Sequence, residues 1–215
     1  MTAEKLSPWQ ERTIERNLID AKKRLLTKST RFVQAARSLL DETGSMDFTV
    51  QEVVERSKLS LRGFYQAFAS KDDLLLALFE EYMASGAEMQ RVMLRRIDDP
   101  VERILAYLGS YWGSVQDPRV TRALVQYHLT LAIARPNELD HALEPARALL
   151  LESVQAAADA GRIRGDIAPE RLTRILMSTG IAAIHTAVTQ SDSLPARMPE
   201  EIWQFCLSGI SPSRR

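Results

Sequence analysis

Cysteine is nearly absent from the sequence. Cys206 is the single one among 215 residues, so no intrachain disulfide can form and stability must come from a packed core. Long apolar runs are lacking too: no stretch approaches the roughly 18 consecutive apolar residues of a membrane-crossing helix. The opening stretch MTAEKLSPWQERTIERNLID has no apolar segment of the secretory type, and the expected location is the cytoplasm. No Asn-Gly or Asp-Gly pair marks a hairpin and no long alternating run marks a strand, which excludes a sizeable sheet. Net charge is also missing, since 28 Lys and Arg balance 28 Asp and Glu. That balance excludes a uniformly polybasic binder but not a local patch. A Gly-rich phosphate loop, a GxSxG elbow, an HExxH helix and a Cys-His pairing are all absent, so no enzyme is expected. His128, His141 and His185 are not spaced as metal ligands, and neither a metal nor a cofactor is expected.

What is present is helical periodicity. Hydrophobic residues make up 45% and charged residues 26%, an ordinary globular balance, and the expected fold is all-α. Ser7, Pro8 and Gln10 suit N-cap, N1 and N3 of a loosely held helical extension reaching about Asp20, because Ser can bond orphan amides and Pro lacks one to satisfy. Phe32, Ala35, Ala36, Leu39 and Leu40 then form one apolar stripe, closed by Gly44. Thr49 can cap a short helix carrying Val50, Val53 and Val54. After Ser57 to Leu59, Ser60 can cap another with Leu61, Phe64 and Phe68. Ser70 can cap a fourth, long helix with Leu75, Leu78, Phe79, Tyr82 and Met83.

These spacings divide the chain into an extension (1–21), a helix-turn-helix module (22–70) and a larger helical domain (71–215). The helix from Lys71 links the last two, and a composition change at Asp98 to Pro100 marks where the body of the larger domain begins. Further helices are expected over 101–115, 118–134, 145–160, 169–190 and 199–207, with prolines at their starts and Gly161 at one end. Between Lys22 and Lys71 ten basic residues face five acidic ones, so this segment carries a positive excess inside a neutral chain.

Two short helices joined by a tight turn can place one helix in a major groove while the other braces on the backbone. The whole string FTVQEVVERSKLSLRGFYQAFASKDDLLLALFEEY, from Phe48 to Tyr82, resembles the DNA-binding signature of the TetR family of bacterial regulators. Thr49 leads helix two, Ser60 caps helix three, Phe64-Tyr65 and Phe68 follow, and Ser70-Lys71 opens helix four. Lys58 stands where the family usually has Gly, and Arg62, Gly63 and Ala69 also depart from its pattern. The likeness covers the chain well up to Tyr82, and the remainder only in length and helical layout.

The resemblance implies a ligand-responsive regulator, typically a repressor, binding palindromic operator DNA as a homodimer. It puts Leu61, Arg62, Gly63 and Gln66 near base edges, and Thr49, Ser60, Tyr65 and Lys71 near phosphates. Side-chain chemistry agrees for several of these. Arg can bond guanine bidentately and Gln can pair with adenine, while Lys71 sits at a helix N-terminus, where amides already attract phosphate. Lys22, Lys23, Arg24 and Lys28 could add backbone or minor-groove contacts, or form a solvated helix face. Leu61 suits either the core stripe or the groove, and Tyr65 could simply pack.

In the larger domain, Leu172, Ile175, Leu176, Thr179, Gly180, Ala183 and Ala187 form one stripe, and Leu150 and Val154 belong to another. Periodicity says only that both bury apolar faces; the family likeness implies a four-helix dimer interface. Tyr82, Met83, Met89, Met93, Tyr107, Tyr111, Trp112, Tyr127 and His128 are the adaptable and polar-tipped side chains that an apolar effector pocket uses, and equally those of an ordinary core. A helical enzyme or a dimeric adaptor without DNA binding are the rival readings; salt-sensitive DNA binding separates them.

Overall fold

The computed structural model describes residues 7–113, 117–190 and 198–211. Among these residues the chain is a succession of helices without a strand: α1 (Pro8–Thr43), α2 (Val50–Ser57), α3 (Leu61–Ala67), α4 (Lys71–Leu94), α5 (Pro100–Gly113), α6 (Pro118–Ala134), α7 (Pro136–Asp159), α8 (Pro169–Gln190) and α9 (Met198–Ile210). They form two compact units. One comprises the chain up to Glu42 with Met46–Leu78; the other comprises Thr43–Ser45 and the chain from Phe79 onward.

Helix ends follow the expected capping chemistry. Gln10 Oε1 accepts from both the amide and the hydroxyl of Ser7 at 2.8 and 2.9 Å. Gly44, at φ +66°, stands immediately after α1, a conformation open to Gly because it lacks a Cβ. One expectation is corrected here: the extension and helix one are a single helix of 36 residues. The polar stretch contains no Gly or Pro after Pro8 to break it, so the helix that Phe32 anchors runs on upstream.

In the first unit, Phe32, Ala36 and Leu40 of α1 are wholly buried, as are Val53, Phe64, Leu74 and Leu78. Arg56 ties α2 back to α1 through an ion pair with Glu42 and a 2.7 Å hydrogen bond to Ser38 Oγ. Arg31 Nη2 donates to the Ser57 carbonyl at 2.6 Å, satisfying an acceptor at the end of α2.

In the second unit, α5 packs against α7, α8 and α9, and α6 packs against α7 and α8. Tyr107, Leu108, Leu150, Val154, Leu172, Leu176 and Cys206 share one apolar cluster, and burial pushes the Cys206 thiol pKa up. The helix expected to start at Pro145 starts at Pro136 instead, with Pro145 inside it. Pro145 offers no amide to the turn before it, yet the helix continues, because Leu139, Ala142, Ala146 and Leu149 are buried along it and Arg147 pairs with Asp140 and Glu144.

Candidate nucleic-acid interface and effector cluster

The short helix α3 is fixed by three devices. At its start Ser60 Oγ accepts from the Gly63 amide at 3.0 Å. Before it, the Thr49–Glu52 capping box closes α2: the Thr49 hydroxyl accepts from the Glu52 amide at 3.2 Å and the Glu52 carboxylate accepts from the Thr49 amide at 2.6 Å. These hydrogen bonds, the Thr49 amide first, hold the Glu52 pKa below its ordinary value. Lys58 makes the turn in the left-handed region, φ 54° and ψ 37°, its amide bonded back to Glu55 and Val54.

Packing then divides α3 into two faces. Phe64 has no exposed surface and meets the Phe32 ring edge-on, with centroids 5.5 Å apart; Phe68 meets Phe32 edge-on at 6.4 Å and lies tilted against Phe64 at 5.7 Å. Leu61, Arg62, Tyr65 and Gln66 are exposed on the opposite face, Leu61 by 46% and Tyr65 by 58%. Among the described residues, neither Arg62 nor Gln66 makes a hydrogen bond or ion pair within the chain.

The exception is Gly63, which is buried and so is corrected from a base-edge position to a packing one. A Cβ there would crowd the capping Ser60 Oγ at 3.2 Å and come into ordinary contact with Phe32 Cζ at 3.9 Å, so the glycine leaves room for the cap.

Thr49 and Ser60 are exposed, but their hydroxyls are engaged in capping. Lys71 is half-buried with its ammonium 5.3 Å from the centre of the Phe48 ring, a cation–π contact. Lys22 and Lys23 are exposed and Lys28 is half-buried, all on α1. At about 100° per residue they point in three different directions around the helix. Arg31 and Arg56 are the structural residues that sequence reasoning passed over; their positive charge was counted, but their partners lie across the fold.

The second unit disperses the expected pocket residues. Tyr107 is wholly buried and donates its hydroxyl to the Ala146 carbonyl at 2.8 Å, which makes it core. Met89 and Met93 are exposed by 66% and 37%, because the α4 face carrying them is not the one that buries Ala87 and Leu94. The side chains of Tyr111 and Trp112 lie outside the described residues. Tyr82 and Met83 are half-buried.

Tyr127 and His128 do come together, with two residues that sequence reasoning assigned elsewhere. Phe79 meets Tyr127 and His128 at 5.8 and 6.4 Å, and His128 meets His185 edge-on at 5.1 Å. Among the described residues, the buried His128 Nδ1 has no hydrogen-bond partner. Burial first, and then the neighbouring His185, push the His128 pKa down to about 4; burial lowers that of His185 as well. Both imidazoles are therefore neutral near pH 7, and His128 keeps an unused polar edge. His141 is exposed and apart from them. No group of three potential ligands for a metal ion occurs among the described residues.

The expected dimer stripe is also redistributed. Leu150, Val154, Leu172 and Leu176 are buried in the protomer's own cluster, and Gly180 and Ala183 are buried too, so these six are corrected to core. A helix buries its most apolar face against its own neighbours in the chain. Ile175 remains 47% exposed and Thr179 half-buried; the Ala187 side chain lies outside the described residues. Among the described residues, no helix is long and apolar enough to cross a membrane.

Comparison with known proteins agrees with this geometry. Residues 32–78 match the family model described as bacterial regulatory proteins, tetR family. No curated protein matches the sequence. Among solved structures, RolR in complex with resorcinol is 20% identical over 88% of this chain and 90% of its own, with a TM-score of 0.70. FadR of Bacillus subtilis in complex with stearoyl-CoA is 16% identical over 84% and 98%, with a TM-score of 0.68. FadR of Thermus thermophilus, a TetR-family repressor in complex with lauroyl-CoA, is 20% identical over 87% and 97%, also at 0.68. At these identities the likeness speaks for the fold over nearly the whole length, while the match on 32–78 falls on the capped, Phe32-seated helix pair. Residues 32–78 therefore carry the DNA-binding helix-turn-helix of the family described as bacterial regulatory proteins, tetR family.

Proposed function

We propose that the protein is a ligand-responsive repressor that binds a palindromic operator as a homodimer. The observation that carries this reading is the division of α3: Gly63 and Phe64 are buried beside α1 while Arg62 and Gln66 project outward with no hydrogen bond or ion pair among the described residues. An outward Arg and Gln one helical turn apart suit bidentate readout of guanine and adenine in a major groove. Tyr65 and Lys71 serve phosphates at either side, Lys71 from the first turn of α4.

Two copies are needed because one short helix reads too few base pairs, and the recognition helices of a dimer fall about 34 to 36 Å apart on successive grooves. Pairing through α8 is supported by Ile175, Thr179, Ala182 and Thr186, which lie along one side at helical spacing and keep surface exposed. Thr179 and Thr186 turn their hydroxyls back to the Ile175 and Ala182 carbonyls at 2.9 Å, which makes that side more apolar than its composition suggests.

The effector site of this reading is the cluster of Phe79, Tyr127, His128 and His185. Its rings suit an apolar or aromatic body, and the unpartnered His128 Nδ1 suits a single polar group on it. Effector binding that alters the DNA affinity by 1 to 3 kcal/mol, roughly 5- to 150-fold, suffices for control.

Fluorescence anisotropy of the purified protein on the DNA upstream of its own gene, at two salt concentrations, tests the reading. The expected result is binding that saturates between nanomolar and micromolar protein and weakens steeply with salt. Equal and weak binding to all duplexes overturns it.

A further inference from the structure

The apolar seam of α1 continues upstream of the residues buried in the core of the first unit. Phe32 enters the core, and upstream of it Ile14, Leu18 and Leu25 keep 44%, 64% and 42% of their surface exposed, with exposed Ala21 between them. The spacing 14, 18, 21, 25 alternates four and three residues, and Leu18, Leu25 and Phe32 recur every seventh position, which is the pattern of a coiled-coil seam. Monomeric proteins rarely leave a contiguous apolar patch exposed without a partner for it, and Ile19 and Leu26 beside the seam widen this one.

From this stripe we infer that the N-terminal half of α1 pairs, antiparallel, with the same segment of a second copy of the chain. Turning the helix end over end about the point between Ile19 and Asp20 brings Ile14 opposite Leu25 of the second copy, and Leu18 opposite its Ala21. Ile14 meets Leu25 in the outer layers, and Leu18 meets the smaller Ala21 in the inner ones. Glu15 and Lys22 both follow the seam on its same flank, so in this register Glu15 lies beside Lys22 of the second copy, two residues off direct opposition, and Lys22 beside its Glu15, giving two complementary ion pairs. Both side chains are exposed. Parallel pairing lacks this complementarity: it sets Glu15 beside Gln10 and Lys22 beside Asn17, and stacks Lys28 on Lys28. A seam this short associates weakly by itself, so it acts where copies are already brought near each other. It ties two DNA-binding units together through the helix that seats α3, independently of any contact made by the second unit.

Cysteine cross-linking of the full-length protein tests the register. Leu18→Cys and Ala21→Cys variants are mixed in equal amounts at about 50 µM under mild oxidation, with the parent protein, whose Cys206 is buried, as control. The expected result is a cross-linked dimer in the mixture at about five times the level given by either variant alone. Adding Glu15→Lys, or Lys22→Glu, to both partners lowers the cross-linked fraction about threefold, as loss of exposed ion pairs does, and combining the two substitutions restores it. All four positions are exposed, and circular dichroism checks that α1 is retained. No cross-link in the mixture, a stronger cross-link from Leu18→Cys alone, or failure of the double charge exchange to restore it overturns the proposal; the first of these is what a face covered by DNA or by a different protein gives.

Discussion

Phe32 and Phe64 meet edge to face with ring centroids 5.5 Å apart, and neither ring has exposed surface. This pair seats the recognition helix: a seven-residue helix is too short to hold itself, and α3 keeps its orientation only because Phe64 is locked against α1. Phe64→Ala is therefore expected to destabilise the protein by about 3 to 5 kcal/mol through the cavity it leaves, and to abolish operator binding while α1 and α4 stay helical. Urea unfolding followed by circular dichroism measures the first effect and anisotropy the second. A cost under about 1 kcal/mol contradicts the seating role.

On the opposite face of the same helix, substitutions should leave stability alone and change DNA reading. Arg62→Ala and Gln66→Ala are each expected to lose about 1 to 3 kcal/mol of discrimination at one base pair. Lys71→Ala should weaken binding to all sequences alike and reduce the salt dependence by about one phosphate contact. Operator variants titrated at two salt concentrations separate these outcomes. If Arg62→Ala and Gln66→Ala bind every operator variant as the parent does, α3 is not the reading helix.

The turn offers a stabilising change. Among the described residues Lys58 is the one non-glycine with positive φ, and a side chain in the left-handed region costs about 1 kcal/mol. Lys58→Gly should raise the unfolding free energy by about 0.5 to 1 kcal/mol, read as a higher urea midpoint with unchanged slope. A lower midpoint shows that the lysine side chain itself contributes to the turn.

For His128 the sign of the pH effect can be worked out. Its pKa in the fold lies near 4, below the ordinary 6.5. Between these values the unfolded chain holds more proton, so stability is complete above about pH 6.5 and falls as pH drops toward 4. His185, lowered in the same sense, adds to the fall. With allowance for partial exposure, His128 should account for about 1 to 2 kcal/mol lost between pH 7 and pH 5. Urea titrations at the two pH values should show a smaller loss for His128→Gln; an unchanged pH slope removes the histidine from the account.

Ile175→Glu, on the exposed side of α8, is expected to shift the protein from dimer to monomer without lowering the unfolding free energy of the isolated chain by more than about 0.5 kcal/mol. Light scattering during size-exclusion chromatography reads the mass. A persistent dimer places the main contact elsewhere, and the α1 seam can then be tested for it by Leu18→Glu in the same assay.

The sequence by itself determined the helices and the identity of the DNA-binding module. Caps, stripes and stops are local: Thr49, Ser60 and Ser70 bond amides three residues on, and Gly44 and Gly161 take positive φ where helices end. Interactions of that range can be read from residue order alone, as the outward pair Arg62 and Gln66 also was. Tertiary structure decided which apolar residue meets which partner. Tyr107, Leu150 and Leu176 have the composition of a pocket or an interface, yet sit in the core. Met89 and Met93 have the composition of a pocket, yet face outward. His128 and His185, far apart in the chain, share a contact. Gly63, read as a groove residue, is buried between the Ser60 cap and Phe32. The physical reason is one of range: hydrogen-bonded caps act within a turn of helix, whereas burial is non-directional and is settled only when distant helices compete for the same space.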